Sequence, residues 1–470
     1  MSSEDFVIYD GSGTQQSPCA EWNGSVNLYL IAWEDYSDGN IYAQRVQKAL
    51  PHLVGSRITV STSGDYLKVP DIASDNTNWF VVYEYYQGGS NPSWAIYGRL
   101  VKNDGTLGTE QNISYSGGTN ARKYNPRVAY NSGSSSYLVV YKDEAVLPYR
   151  IKGRRVATNG TVLGDTFTII SSTSYDYMIP AVGSNGTNFL VVAWNEDTRN
   201  VEGRIVSGNG VPQGSVFTIG YGGYYGDSDV SSNGTNFLVV WNDGSSVKGR
   251  IYDNNGNPVT SEITIATGTS GVYLLHPKVD WYAGISKYQI VWYDNRRGIY
   301  HIFGRKMNPD GSFSANDTIE KMTWDDTLQV LPDVACGDTN LVTWQDYRKE
   351  DNDPSTPDIY ANLGKGSLGE EDTFTRPKDP SGEPEKFSLI YFSSFFNEKI
   401  TLKFSSCSEN PLKIIIYNVS GIPIYENFYP MTPYTLTLSD KRILNLKKGT
   451  YFLSAYSKNK EIGKIKLIKR

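Results

Sequence analysis

Histidine and cysteine are almost missing from this 470-residue chain, with three of each. Cys19, Cys336 and Cys407 form neither a disulfide framework nor the paired spacing of a zinc site. His52, His276 and His301 stand in no Ser-His-Asp or His-x-x-x-His arrangement, so triad hydrolysis and zinc chemistry have no footing. No glycine-rich phosphate loop and no dinucleotide fingerprint occurs. No apolar run is long enough to span a bilayer, so the chain is not expected to cross a membrane. The formal charge is −6 and no basic block stands out before residue 370, which sets nucleic acid aside as a partner. The leading residues Met1-Ser2-Ser3-Glu4-Asp5 lack a charged-then-apolar signal, so the expectation is a leader already removed.

What the chain has is aromatic and turn-forming. Only 39% is hydrophobic, yet there are 35 Tyr and 10 Trp, residues that bury a ring and keep a polar handle. The 45 Gly and 21 Pro favour short strands joined by tight turns over long helices.

One pattern recurs through residues 18–364. It reads Pro-x-Val-Ala, a turn, an apolar run ending in Trp or Tyr, an acidic loop, Gly-Arg-aliphatic, a turn, and a closing aromatic-Thr-aliphatic strand. The clearest copy runs from Pro180 through Asn185-Gly-Thr-Asn-Phe-Leu-Val-Val-Ala-Trp194 to Gly203-Arg204-Ile205 and Phe217-Thr218-Ile219. The apolar strand occurs at 28–33, 79–83, 137–141, 189–194, 237–241, 288–292 and 341–344. Arg45, Arg99, Arg154, Arg204, Arg250 and Arg305 recur at intervals of 46 to 55, the period of four-stranded propeller blades. Near-continuous apolar runs suit sheets covered on both faces, which stacking in a closed ring provides.

The fold expected is therefore all-β: a seven-bladed β-propeller over residues 1–376, a linker over 377–386 and a small antiparallel β-sandwich over 387–470. Phe6-Val7-Ile8 matches the closing strands, so it should complete the last blade and join the chain ends. Phe374-Thr375 competes for that slot, but Pro377 removes a ladder donor. Cys19 and Cys336 fall on neighbouring inner strands at different offsets, which argues against a bond between them. The C-terminal strands read at 399–404, 412–418, 423–428, 434–438, 449–456 and 464–469.

Three C-terminal motifs carry a resemblance. They are Ile414-Ile-Ile-Tyr-Asn-Val-Ser-Gly421-Ile-Pro-Ile-Tyr425, Leu446-Lys-Lys-Gly-Thr-Tyr-Phe-Leu453 and Gly463-Lys-Ile-Lys-Leu-Ile-Lys469. In order and spacing this stretch resembles the type IX secretion C-terminal sorting domain of Bacteroidetes and related phyla. Where that family opens on a Tyr-Pro-Asn-Pro-like turn, this chain has Tyr391-Phe392-Ser393-Ser394. The resemblance implies a secreted or cell-surface protein, with the type IX secretion machinery as the partner of residues 387–470. The propeller repeats resemble those of large secreted bacterial proteins, which implies no defined activity.

Two sets of candidate site residues follow. Loops from each outer strand to the next inner strand, and loops after each Trp strand, should share one face. They carry Tyr66, Tyr85, Tyr86, Trp94, Tyr124, Tyr175, Tyr177, Tyr224, Tyr225, Tyr273 and Trp324, with Tyr36, Tyr115, Tyr149 and Tyr221 beside them. Such rings anchor binding surfaces and stack on sugars, or else pack beneath their own loops. Asp71, Asp229 and Asp333 should face the channel, either as an acid pair of a glycosidase or lyase, or as partners of water and backbone. Asp35, Asp143, Asp197, Asp243, Asp294 and Asp346 recur after the Trp strand; repetition favours architecture, each paired with a nearby Arg on the adjacent strand. The loop 346–358 is rich in oxygen ligands of the kind calcium takes, but it lacks the EF-hand glycine and terminal Glu, so it reads as a solvated acidic loop. No catalytic residue, metal site or cofactor is otherwise indicated. The reading is a secreted or surface adhesion protein holding a glycan or a surface protein; a carbohydrate-active enzyme and a surface-layer or filament subunit are the alternatives.

Overall fold

In the computed structural model of the chain the repeat becomes seven four-stranded antiparallel sheets. The structure describes residues 5–62, 66–88, 93–115, 122–145, 149–171, 178–223, 226–325, 327–348 and 356–364 of the first unit. In the second it describes 389–392, 395–396, 400–404, 412–418, 423–429, 435–438, 446–457 and 460–469. The two compact units are Met1–Gly369 and Glu370–Arg470.

Each blade runs from an inner strand outward. The inner strands are Gln15–Asn23, Tyr66–Ser74, Lys123–Asn131, Met178–Ser184, Ser228–Ser232, Leu274–Tyr282 and Gln329–Cys336, in blades 1 to 7. The second strands carry the Trp or Tyr motif and are buried along most of their length; Trp33, Trp79, Trp241, Trp292 and Trp344 are inaccessible to solvent. Seven apolar clusters fill the seven interfaces between adjacent blades. One joins Leu30 and Ile41 of blade 1 to Ile72 and Val81 of blade 2; the ring closes on Ile31 and Trp33 against Leu341 and Ile359 of blade 7. Both faces of every sheet are thus covered, which explains the unbroken apolar runs.

The repeated arginine ties the blades together. The Nη1 groups of Arg99, Arg154, Arg204, Arg250 and Arg305 donate to the carbonyls of Val60, Ile113, Ile169, Ile219 and Ile265, each in the outer strand or its continuation in the preceding blade. This corrects the expected pairing of these arginines with the acids after the Trp strand. Those acids serve their own surroundings. Asp294 and Asp346 accept the indole N–H of Trp292 and Trp344 and pair with Arg296 and Arg348 two residues on. Asp143 pairs with Lys152.

Closure follows the expected route. Phe6–Tyr9 lies antiparallel to Asp358–Leu363 as the fourth strand of blade 7, with Phe6 opposite Ala361 and Val7 opposite Tyr360. Ile8 is buried, whereas Phe6 is only half-buried and stacks on His52 at 4.3 Å. Asp5 anchors the strand's start by accepting the N–H groups of Trp324 and Asp325, Asn362 Nδ2 and Arg348 Nη2. Phe374 and Thr375 lie outside the described residues. Cys19 and Cys336 are free thiols.

Five inner strands carry a β-bulge where the sequence reads x-Pro. Ser17, Val69, Asn125, His276 and Leu331, each just before its proline, have φ between 48° and 55°. Two residues there oppose one, as at Lys68–Asp71 against Val82–Glu84. A left-handed conformation at β-branched Val69 is strained. The carboxylate of Glu34, in the preceding blade, accepts the Val69 N–H at 2.7 Å, and Glu84 does the same for Asn125 at 2.7 Å.

The C-terminal unit is a small β-sandwich of a three-stranded and a five-stranded sheet. Alternation places Ile414, Ile416, Leu453 and Ala455 in its core. Leu389–Phe392 and Phe395–Phe396 are strands that the sequence reading left out, and the second pairs in parallel with Lys460–Lys469, so the sandwich is not purely antiparallel.

Candidate functional site

The residue after each inner-strand proline, or its equivalent, forms one layer round the axis: Cys19, Asp71, Arg127, Ala181, Asp229, Lys278 and Asp333. Two positions further on come Glu21 and Asp280. Asp71, Asp229 and Asp333 do reach one cavity, of about 260 Å³, together with Glu21, Arg127, Lys278 and Asp280. Each of the three acids spends an oxygen on the neighbouring blade. Asp71 accepts the Val128 N–H, Asp229 that of Val279 and Asp333 that of Ala20, at 2.8–2.9 Å. Asp280 likewise accepts from Cys336 N–H at 2.8 Å, and from Ser231 Oγ at 3.2 Å.

The charges of the channel answer one another. Burial opposes the Lys278 ammonium, but Asp229 and Asp333 outweigh it and raise its pKa. Burial pushes Asp333 up to about 6 and Asp280 up to about 7, the latter against its hydrogen bonds from Cys336, Trp281 and Ser231. Glu21 is raised well above the usual range by burial and by Asp280, and Asp71 is raised by burial. Asp71, Asp229, Asp280 and Asp333 thus clasp the next blade, and Arg127 and Lys278 are the cations set among the five acids of the channel. Among the described residues no group of three His, Cys, Asp or Glu is placed to hold a metal ion. Most of the acidic loop, 349–355, lies outside the described residues.

At the loop end of blades 1 to 3 the aromatic candidates converge. Tyr36 lies 6.3 Å from Tyr66, Tyr66 6.4 Å from Tyr86, Tyr86 4.8 Å from Trp94, and Trp94 5.7 Å from Tyr124, centroid to centroid. Tyr85 stacks beside this ladder on Tyr97 at 4.3 Å. Tyr36 and Tyr66 are 52% and 44% exposed, which shows that these rings do not simply pack beneath their loops. Lys68 sits among them, its Nζ 5.3 Å from the Tyr36 ring, 5.9 Å from Tyr66 and 5.8 Å from Trp94. Cation–π attraction reaches to about 6 Å. Behind the rings lie Glu34 and Glu84, both buried. Burial pushes Glu84 up to about 7, with Asn125, Lys68 and Arg127 opposing and Glu34 adding to it. Burial raises Glu34 as well, against Gln16, Val69 and Lys68.

The remaining aromatic candidates are scattered or lie elsewhere. Tyr273 is exposed and its N–H binds Asn295 Oδ1; Trp324 is exposed and its N–H binds Asp5. Tyr175, Tyr177, Tyr224 and Tyr225 lie outside the described residues. A second group joins His276 Nδ1 to Asp227 at 3.1 Å, with Tyr293 6.5 Å from the His276 ring and Tyr300 edge-on to Tyr293 at 5.2 Å.

Sequence reasoning passed over Lys68, Glu34, Glu84, Arg127, Lys278, Glu21 and Asp280. Arg127 and Lys278 were findable, since they directly follow the inner-strand proline as Asp71 and Asp333 do. Lys68 was not, because the bulge at Val69 resets the alternation that would place it.

No protein-family model and no curated protein matches the sequence. Among solved structures the chain resembles a puromycin hydrolase at 13% identity and a TM-score of 0.38, over 73% of this chain and 52% of that one. It thus spans about half the length of that enzyme. It resembles the dihydro-heme d1 dehydrogenase NirN in complex with DHE at 12% identity and a TM-score of 0.43, over 76% and 68%. It resembles an α-L-arabinofuranosidase from Lactobacillus brevis at 13% identity and a TM-score of 0.35, over 52% and 93%. At this distance none of these activities transfers to the chain.

Proposed function

We propose that this protein is a cell-surface glycan-binding protein whose aromatic ladder stacks on successive sugar rings. The observation that carries the reading is the unbroken series Tyr36, Tyr66, Tyr86, Trp94 and Tyr124 across three blades, with solvent reaching its rings. Flat rings offer C–H faces of sugars a large contact at small entropic cost, while Tyr hydroxyls and the Trp N–H serve the hydroxyl edges. Binding is preferred to catalysis because Asp71, Asp229 and Asp333 each commit an oxygen to the backbone of the next blade.

A glycan array probed with the full chain tests this. The Tyr66→Ala, Trp94→Ala double variant should bind about fivefold to a hundredfold more weakly, at ~0.5–1.5 kcal/mol per ring. Undiminished binding by that variant rejects the ladder as the site. We propose further that residues 387–470 act as a type IX sorting domain that brings the protein to the cell surface, in line with the three motifs they carry. Export of a reporter bearing this segment, and its retention without it, is the test.

A further inference from the structure

We infer that the ligand of the ladder is an acidic glycan, built of uronic acids, and that Lys68 receives its carboxylate. The inference rests on the glycan-binding reading and adds a charge to it. Lys68 lies among three aromatic rings, and its ammonium forms no hydrogen bond and no ion pair with the described residues. Its ammonium has three donors and partial shelter from water, so a carboxylate brought in by a stacked sugar would make a charge-assisted bond.

The nearby acids do not already fill this role. Glu34 gives one oxygen to Gln16 Nε2 and the other to the Val69 N–H. Glu84 stands directly opposite Lys68 across the strand pair, yet its carboxylate turns to the Asn125 N–H of the next blade at 2.7 Å. Burial moreover biases both glutamates toward their neutral forms, which leaves the lysine's charge less compensated.

The repeat supplies a second, independent argument. The residue preceding the bulge is Gln16, Lys68, Tyr124, Leu275 and Val330 in the five bulged blades, so one blade in the ring places a cation there. It does so where the aromatic ladder passes. A lysine required by the architecture would recur as the blade arginine does.

The test uses the full-length protein and calorimetric titration with two oligomers, a galacturonate and a mannuronate–guluronate, each as the free acid and as its methyl ester. The ester presents the same rings without the charge. At least one acid should bind tenfold or more tightly than its ester, and salt should weaken the acid alone. Lys68→Met should abolish the difference while ester binding persists, and Lys68→Arg should restore part of it. Equal binding of acid and ester by the wild type overturns the inference and leaves the glycan reading standing. Failure of every acid and ester alongside capture of neutral glycans on the array does the same. Failure of all glycans, charged or neutral, removes both. An acid preference that survives in Lys68→Met with unchanged melting places the carboxylate elsewhere and refutes the role of Lys68.

Discussion

Ring closure by the N-terminal strand makes a quantitative prediction at Ile8. Along Phe6–Tyr9 only Ile8 is buried, in the cluster that joins blades 7 and 1 with Ala20, Trp33 and Ile359, while Val7 is half-buried. Replacing Ile8 by Ala keeps the chain and its ladder bonds and removes only the packed methyl groups. Such a change in a packed core costs about 2–5 kcal/mol, through lost transfer energy and the cavity left behind. At ~2.1 cal/mol/K per residue over roughly 365 residues of propeller, that lowers the melting temperature by about 3–6 °C. Val7→Ala, next along the strand, should cost about 1 kcal/mol or less, because its side chain remains partly in water. Deleting residues 1–10 should lower the melt further, since Asp5 leaves with them and Arg348, Asn362 and two backbone N–H groups lose an acceptor. Thermal melts of the three variants, followed by near-ultraviolet circular dichroism, measure this. Equal shifts for Ile8→Ala and Val7→Ala, or a deletion without effect, would refute the closure.

Two further predictions concern the ties between blades. Asp280, raised to about 7 against an ordinary value near 3.9, favours its neutral form in the fold; its contribution is present below about pH 4 and is lost as pH rises through 7. Asp280→Asn should therefore gain on the wild type as pH rises from 5 to 8, read from urea midpoints, and a pH-independent difference would contradict the assignment. Arg204→Ala removes the bonds to Ile169 O at 2.8 Å and to the exposed Gly214 O at 3.0 Å and should cost about 1–3 kcal/mol in urea unfolding, because the carbonyl of buried Ile169 loses a charged donor. A loss below about 0.5 kcal/mol would show that the repeated arginine does not hold the blades together.

The blade count, the four-strand unit and the strand that shuts the ring were all legible in the chain. They are written in local periodicity: an apolar strand ending in Trp or Tyr recurs seven times, the third-strand arginine six times, and Phe6-Val7-Ile8 carries the closing-strand pattern out of turn. A repeat exposes its architecture because each copy must present the same two faces to its neighbours. The role of the repeated arginine was hidden, since its acceptors are backbone carbonyls of another blade and leave no mark in residue identity. Only the tertiary structure decided which acids share the channel and which rings line up. The pre-proline bulges turn Lys68 toward Tyr36, Tyr66 and Trp94, and Glu34 and Glu84 reach across to hold those bulges. Those contacts join residues up to 41 positions apart, several of them on different blades, and a reading of neighbours along the chain has no access to them.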